Sequence, residues 1–332
     1  MKKICIFISD EGYGHIIRQS SIIKILLKKN YKITVVTSRK IKILKEKFGN
    51  QISYDNYHNN IETIKNVNGS LNIRRTKKVF LNWKKKSPFW IARNLKKYKN
   101  QNLFISDFVP DAFKLAEILG IPCIGVAHFT WDWFYGKIYN KFDPTFVYLK
   151  DLISKATSLY FPPLTPASIL KKLRQKIKKI NFILTDFTFE KVKIKKITVL
   201  LMDNGTNSLK HLIIKTIPYL AKIKKYNFII RVDNLNKASK NIIINSSNIT
   251  TVTGLKKMHS KILEADIVIA RGGFNTISEC LSLKKPCLLF NEKNNPEIGE
   301  NIKNIENKNY GKLINTNEWK KNFEKTLNIF YH

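Results

Sequence analysis

One pattern constrains this chain more than any other. A short continuous apolar run is followed by a break, then by apolar residues at helical spacing, then by a second apolar run. Ile4 to Ser9 is the first such run, and its lack of alternation predicts a strand buried on both faces. Gly12 and Gly14 break the chain. Apolar residues then recur at Ile16, Ile23 and Leu27, with Ile22 and Leu26 beside them, which predicts a helix. Lys32 to Thr37, built around Ile33, Val35 and Val36, predicts the next strand. Strand, helix and strand at this spacing make a βαβ unit, with parallel strands and a right-handed crossover.

The unit recurs. Leu103 to Ser106, Ala112 to Leu119 and Pro122 to Ala127 read as strand, helix and strand, whereas residues 50–100 give only a weak pattern. Tyr160-Phe161-Pro162-Pro163 with Pro166 breaks the series and predicts the end of a first domain, 1–163. A second series fills 164–332. Its strands are Ile197 to Met202, Asn227 to Val232, Ile249 to Val252, Ile267 to Ala270 and Cys287 to Phe290. Helices over Ser208 to Ile223, Met258 to Glu264 and Thr276 to Leu283 lie between them, with a last helix over Trp319 to Phe330. A chain of 332 residues suits two domains of about 150 residues each. The expected fold is therefore α/β, two doubly wound Rossmann-like domains facing a cleft, with ligands at the carboxyl ends of the strands.

The formal charge of +36 admits a nucleic acid, an anionic membrane or an acidic substrate as partner. It also admits a plain reading, lysine as the default surface residue, because the charge is spread from Lys2 to Lys325. Arg74 to Lys99 differs, interleaving basic residues with Phe80, Trp83, Phe89, Trp90 and Tyr98, a pattern that suits an anionic membrane surface. Nucleic acid is disfavoured, since no motif for it is present. Cys5, Cys123, Cys280 and Cys287 form no Cys-x-x-Cys pair and sit in apolar stretches, which predicts buried free thiols in a reducing compartment. No run approaches the length of a membrane span, so the expected location is cytoplasmic, at most peripheral on the inner face of a membrane.

Two constellations can carry chemistry. Gly12-Tyr13-Gly14-His15 follows the first strand, so a histidine able to take a proton stands at a helix start. The plain alternative is that His15 caps or packs against that helix. The position three after Gly14 is Ile17, so this is not the dinucleotide-binding fingerprint. Arg271-Gly272-Gly273-Phe274-Asn275-Thr276-Ile277-Ser278-Glu279 follows a buried strand and opens a helix, whose free N–H groups and dipole suit a diphosphate. Glu279 can accept from both hydroxyls of a ribose, or be an ordinary solvated helix residue.

These motifs resemble the family 28 glycosyltransferases, whose best-known member adds N-acetylglucosamine to the lipid-linked peptidoglycan precursor. The resemblance runs from Met258 through Ala265-Asp266-Ile267-Val268-Ile269-Ala270-Arg271-Gly272-Gly273 to Ser278-Glu279, then Lys285-Pro286-Cys287-Leu288-Leu289, with Gly-x-Gly-His at the N-terminus. It implies the GT-B fold, a nucleotide-sugar donor, an inverting reaction, a ribose contact at Glu279 and a reaction centre at the His15 loop. Ser106-Asp107-Phe108-Val109-Pro110 and Ala127-His128-Phe129-Thr130-Trp131-Asp132-Trp133-Phe134-Tyr135 resemble a less-studied branch of GT-B proteins, in which His128 is usually Asn. Two departures stand out. The loop Met202-Asp203-Asn204-Gly205-Thr206-Asn207 lacks the family's adjacent glycines, and its Glu-Gln pair is here Glu297-Ile298, with Asn301 in register.

The resulting expectation is a metal-independent hexosyltransferase of cell-envelope or surface polysaccharide synthesis, using a UDP-sugar and an unknown saccharide, lipid-linked or small-molecule acceptor. His15 is the catalytic base. Gly205, Thr206, Met258, Arg271, Gly272, Gly273, Asn275, Thr276, Glu279 and Glu297 hold the donor, and the backbone from Leu255 to Met258 frames its base. Gly12, Gly14, Arg18, Asp107, His128, Trp131 and Asp132 stand on the acceptor side, and Arg271 or Arg18 stabilises the leaving group. The aromatics from Phe129 to Tyr135 are either a sugar platform and acceptor channel or core packing. No cofactor and no metal are expected, since the chain has no Asp-x-Asp and its histidines lack ligand spacing. A nucleotide-sugar hydrolase or epimerase, or a non-catalytic sugar or nucleotide binder, are the alternatives on the same scaffold.

Overall fold

The computed structural model describes residues 1–57, 61–140, 143–173, 176–184, 196–203, 209–232, 235–253 and 258–314, together with Trp319 and Leu327. The chain divides into two compact units, one of residues 1–64 and 72–186, the other of 65–71 and 187–332.

The first unit runs β1 (Lys3–Ile8), α1 (Gly14–Lys28), β2 (Lys32–Thr37), α2 (Ile41–Phe48), β3 (Ser53–Asn56), α3 (Ile73–Tyr98), β4 (Leu103–Asp107) and α4 (Pro110–Leu119). It continues with β5 (Cys123–Val126), α5 (Trp131–Ile138), α6 (Pro144–Ser154), β6 (Ser158–Phe161), α7 (Ala167–Lys172) and β7 (Ile177–Lys179). Its strands form one parallel sheet in the order β3-β2-β1-β4-β5-β6-β7. The chain winds outward from β1 to β3, returns across α3, and winds outward the other way from β4. The winding direction reverses between β1 and β4, so their carboxyl ends open the crevice of this sheet. Continuous apolar strands are what a doubly covered sheet needs, and Cys5, Ile6, Phe7 and Ile8 are all fully buried.

The second unit runs β8 (Thr198–Met202), α8 (Lys210–Leu220), β9 (Asn227–Arg231), α9 (Lys237–Ile244), β10 (Ile249–Thr251), α10 (Met258–Glu264) and β11 (Ile267–Arg271). It ends with α11 (Phe274–Ser282), β12 (Cys287–Phe290), α12 (Pro296–Glu306) and β13 (Gly311–Leu313). The parallel order is β10-β9-β8-β11-β12-β13, with the same reversal between β8 and β11. Trp319 packs on Phe290 with ring centroids 5.1 Å apart and donates to Thr216 Oγ1. The rest of the expected tail helix, residues 320–326 and 328–330, lies outside the described residues.

The structure moves the boundary drawn at 163/164. Pro162-Pro163 ends β6, but the chain turns through α7 and re-enters the first sheet as β7, pairing Leu159 with Ile177. Residues 164–184 therefore belong with the first unit, where Ser21 Oγ also donates to Leu184 O. A proline cluster marks a turn here, not the end of a sheet. The segment that read weakly holds β3 and the long α3. Asn72 caps α3 by accepting from Arg75 N at 2.9 Å, and Thr76, Phe80, Trp83, Ser87 and Ile91 form its buried stripe. Its outward face carries Arg74, Arg75, Lys78, Lys85 and Lys86, with Phe89 70% exposed. All four cysteines are buried and unpaired. No helix among the described residues is long and apolar enough to cross a membrane.

Candidate active site

At the reversal point of the first sheet, β1 and β4 end in register, Ile8 opposite Asp107. The chain leaves β1 through Ser9 to Tyr13 and enters α1 at Gly14. Gly12 has φ +43, the left-handed region that glycine enters without a Cβ penalty. Two buried side chains hold this loop. Asp10 accepts from Thr37 Oγ1, Ser38 N, Ser38 Oγ and Arg39 N at 2.9–3.2 Å, which ties β1 to the end of β2. Lys40 donates its ammonium to the carbonyls of Asp10 at 3.0 Å, Glu11 at 3.2 Å and Gly12. Burial pulls the Lys40 ammonium below its ordinary pKa, against the charges of Asp10 and Glu11.

The loop delivers His15, 9% exposed, onto Asp107, which is fully buried. His15 Nδ1 lies 2.8 Å from Asp107 Oδ2. Arg18, one turn further along α1, donates to Asp107 Oδ1 and brings Nη2 to 3.2 Å from His15 Nδ1. An ionised carboxylate only accepts, so Nδ1 carries a proton, and in the neutral imidazole the lone pair is on Nε2. The approach of Arg18 to Nδ1 then sets donor against donor, so the guanidinium serves Asp107. Burial pushes the Asp107 carboxyl up, but Arg18 and His15 outweigh it and hold it at about 2. Asp107 is thus an anion across the physiological range, fixing one tautomer of His15.

Phe108, next in the chain, has φ +52, a conformation that a bulky side chain rarely adopts. Trp131 Nε1 donates to Phe108 O at 3.0 Å, and Ser106 Oγ bonds both the N–H and the carbonyl of Val109. These contacts over-determine the turn and aim Asp107. Trp131, 1% exposed, is therefore a brace for the β4–α4 turn. Phe129, Phe134 and Tyr135 are buried around it, with ring centroids 5.4–5.9 Å from Trp131. Of the two readings of this cluster, core packing describes these four rings. His128 is 5% exposed, its ring edge-on to Phe129 at 4.9 Å. Asp132 lies away from the His15 pair and bonds Lys172.

At the reversal point of the second sheet, β11 ends at Arg271 and α11 starts at Phe274, with Gly273 as its N-cap. The two glycines do different work. A Cβ on Gly272 would stand 2.6 Å from Ile302 Cγ1, so this glycine lets α12 pack on the turn. Asn301 Nδ2 fixes the same turn by donating to Gly272 O at 3.1 Å. A Cβ on Gly273 would meet nothing nearer than Arg271 Nη2 at 3.6 Å, and its φ of −75 suits any residue. Packing does not demand a glycine there, and a residue without a Cβ leaves the helix start accessible to close approach.

Around that start, Thr276 and Glu279 are each 7% exposed and Asn275 is half-buried. Glu279 Oε2 lies 3.3 Å from His259 Nδ1 on α10, next to Met258. Arg271 Nη1 pairs with Glu292 Oε2 at 2.5 Å, and Glu292 also accepts from Lys65 and Asn295. Burial raises the Glu292 carboxyl, yet Arg271 and Lys65 bring it below its ordinary value. Arg271 thus keeps one amino group in an ion pair and the other beside Gly273. Glu297 stands in the first turn of α12, which Asn295 caps, while Ile298 is fully buried. Gly205, Thr206 and Leu255 lie outside the described residues.

Sequence reasoning brought His15, Arg18 and Asp107 to one crevice, and Arg271, Gly272, Gly273, Asn275, Thr276 and Glu279 to another. It missed Asp10, Lys40 and Glu292. A charged residue two positions after a buried strand is the signal that marks two of them, Asp10 after β1 and Glu292 after β12.

The model of the glycosyltransferase family 28 C-terminal domain matches residues 204–330. No curated protein matches the chain by sequence. Among solved structures, the chain is similar to the glycotransferase of kitacinnamycin, at 13% identity and TM-score 0.70, over 95% of this chain and 86% of that one. The calicheamicin glycosyltransferase CalG4 gives 11% identity and TM-score 0.69, over 94% and 85%. UGT89C1 of Arabidopsis thaliana, complexed with UDP-L-rhamnose, gives 11% and 0.66, over 94% and 84%. Likeness at these identities is likeness of fold. The C-terminal half thus matches the glycosyltransferase family 28 C-terminal domain, and the two-unit fold is similar to that of the GT-B glycosyltransferases.

Proposed function

We propose that this enzyme moves a hexosyl group from a nucleoside-diphosphate sugar, a UDP-sugar in the first instance, to an acceptor hydroxyl, with inversion and without a metal. The observation that carries the reading is the His15–Asp107 pair, 2.8 Å long and buried at a sheet crevice, with Nε2 left as a base. The acceptor hydroxyl gives its proton to Nε2 while its oxygen attacks the anomeric carbon, and the bond to the nucleoside diphosphate breaks. Asp107 steadies the imidazolium that forms. The negative charge on the departing diphosphate suits the N-terminus of α11 at Gly273 and the Nη2 amino group of Arg271. Glu279, at the second turn of α11, accepts from ribose hydroxyls in this reading. Structures with this fold hold UDP and UDP-L-rhamnose, which supports uridine as the first base to try.

The test is nucleotide binding. Melting of the purified chain is followed with the diphosphates of uridine, guanosine, thymidine and adenosine, beside a Glu279→Ala control. At 100 times its dissociation constant, a ligand specific for the folded state stabilises it by about 2.7 kcal/mol. A shift with uridine diphosphate that is lost in Glu279→Ala is expected. A shift equal in both proteins removes Glu279 from the role, and no shift with any diphosphate sinks the donor reading.

A further inference from the structure

After β12 the chain runs through Asn291 to Asn295 and enters α12. Register sets Phe290 of β12 opposite Arg271 of β11, so this loop stands beside the start of α11. A hairpin from far away in the sequence grips it. Residues 65–71 belong to the second unit, although the chain before and after them belongs to the first.

The hairpin is built by its own bonds. Lys65 and Leu71 form an antiparallel bridge. Gly69 N donates to Asn66 O at 2.9 Å and Asn66 N to Ser70 O at 2.8 Å, with Gly69 in the left-handed region at φ +81. Ser70 Oγ donates to Asn68 Oδ1 at 2.7 Å. Val67 at the tip is exposed, whereas Leu71 at the base is buried. The base makes two grips on the loop after β12. Leu71 N donates to Lys293 O at 3.1 Å, and Lys65 Nζ donates to Glu292 Oε1.

What the second grip does follows from Glu292. Its side chain is 1% exposed, so protein groups must meet its charge and its lone pairs. Oε1 accepts from Lys65 and from Asn295 Nδ2, the latter at 2.8 Å, and Oε2 accepts from Arg271 Nη1 at 2.5 Å. A guanidinium that faces a bare carboxylate takes both oxygens, fork on fork. Here Oε1 is occupied, so Arg271 meets one oxygen with one amino group. Its Nη2 stays 3.6 Å from where a Cβ of Gly273 would stand, beside the N-cap of α11. Two cations against one carboxylate leave a net positive charge at that helix start, which suits a diphosphate.

We propose that Lys65 is a positioning residue of the donor site: it occupies Glu292 Oε1, so that Glu292 holds Arg271 by Nη1 and leaves Nη2 turned to the diphosphate at Gly273. The inference rests on the donor reading given above. It adds that the site draws on a residue 227 positions away from Glu292, outside the 204–330 that the family model matches.

The test separates positioning from plain structural support. The full chain is titrated by calorimetry with uridine diphosphate, and with uridine in competition against it. Lys65→Met should weaken the diphosphate about tenfold and uridine by less than about twofold. Lys65→Arg, which keeps a cation on Oε1, should hold the diphosphate within about threefold of the wild type. Glu292→Gln cuts the link while keeping the shape, and in that background Lys65→Met should cost less than about twofold. Melting curves show that each variant is folded. If Lys65→Met is not, Lys65→Gln takes its place, with a smaller loss confined to the diphosphate. Equal losses for uridine diphosphate and uridine would reduce Lys65 to a support of the loop and overturn the proposal. An equal loss with and without Glu292→Gln would overturn it too, since Lys65 would then act on the nucleotide by itself. Wild-type diphosphate affinity in Lys65→Met sinks this inference alone. A wild type that binds no nucleotide sinks the donor reading, and this inference with it.

Discussion

The two crevices solve the same topological problem with opposite materials. Each opens where a parallel sheet reverses its winding, β1 beside β4 and β8 beside β11. The first is built of buried side chains that bond one another: His15 on Asp107, Arg18 on Asp107, Lys40 on three carbonyls. The second is built mainly of backbone, a glycine pair and the first turn of α11, beside the Arg271–Glu292 pair. The difference follows from the chemistry each is suited to. A proton moves only between atoms held in one tautomer and one direction, so its partners must be locked. A diphosphate spreads its charge over many oxygens and asks for N–H groups in a row with nothing in front of them.

That contrast predicts its largest effect at the locked side. His15→Ala removes the base but leaves Asp107 paired with Arg18, so the fold should persist while turnover falls by about 10²–10⁴-fold. Asp107→Asn should lose a comparable amount by releasing the tautomer, with the imidazole still present. Turnover with a UDP-sugar and an accepted acceptor, at matched protein fold by circular dichroism, decides it. Turnover at the wild-type level in His15→Ala would show that the lock serves structure only.

At the backbone side the two glycines should separate. Gly272→Ala drives a methyl to within 2.6 Å of Ile302, which must move, so a loss of about 1–3 kcal/mol in stability is expected. Gly273→Ala meets only the guanidinium of Arg271 at 3.6 Å, so stability should hold while diphosphate affinity falls. Melting curves with and without uridine diphosphate measure both. Two variants that lose stability alike, or a Gly273→Ala that binds as the wild type does, would remove the distinction between a packing glycine and an approach glycine.

How much of this was legible in the sequence depended on where the signal lived. Continuous apolar strands such as Ile4 to Ile8 and Cys287 to Phe290 announced themselves, because burial on both faces removes alternation. The glycine breaks after them located both crevices. The return of the chain through α7 to β7 did not, since Ile177–Lys179 is a three-residue edge strand with two exposed lysines and no apolar run. The pairing of His15 with Asp107 is 92 residues apart in sequence, and only the register of β1 on β4 brings them together. Arg18 and Arg271, the cations expected beside the leaving group, each sit against a carboxylate, Asp107 or Glu292, that a spacing argument cannot supply. The tryptophans divide in the same way: Trp131 and Trp133 look alike in sequence, but one braces a strained turn and the other lines a cavity.

The smallest expected effect is in acid, and a variant at one site separates the two. The Asp107 carboxyl sits at about 2 against an ordinary 3.8. Its folded pKa is depressed, so the stability it contributes is complete only above about pH 5, where both states are ionised. It shrinks as the unfolded chain takes up its proton and is gone as pH falls through about 2. The difference corresponds to about 2 kcal/mol. Glu292 in the second unit is shifted in the same direction by Arg271 and Lys65, so acid should loosen both units. Asp107→Asn removes the first share only. Four of the five tryptophans, Trp83, Trp90, Trp131 and Trp133, lie in the first unit, so their fluorescence follows its unfolding. Between pH 4 and pH 2 the fluorescence-detected stability of the wild type should fall more steeply than that of Asp107→Asn, whatever the variant's starting level. Parallel slopes would mean that the His15, Asp107 and Arg18 cluster carries no net charge-linked stability, and that the lock on the imidazole is one of geometry alone.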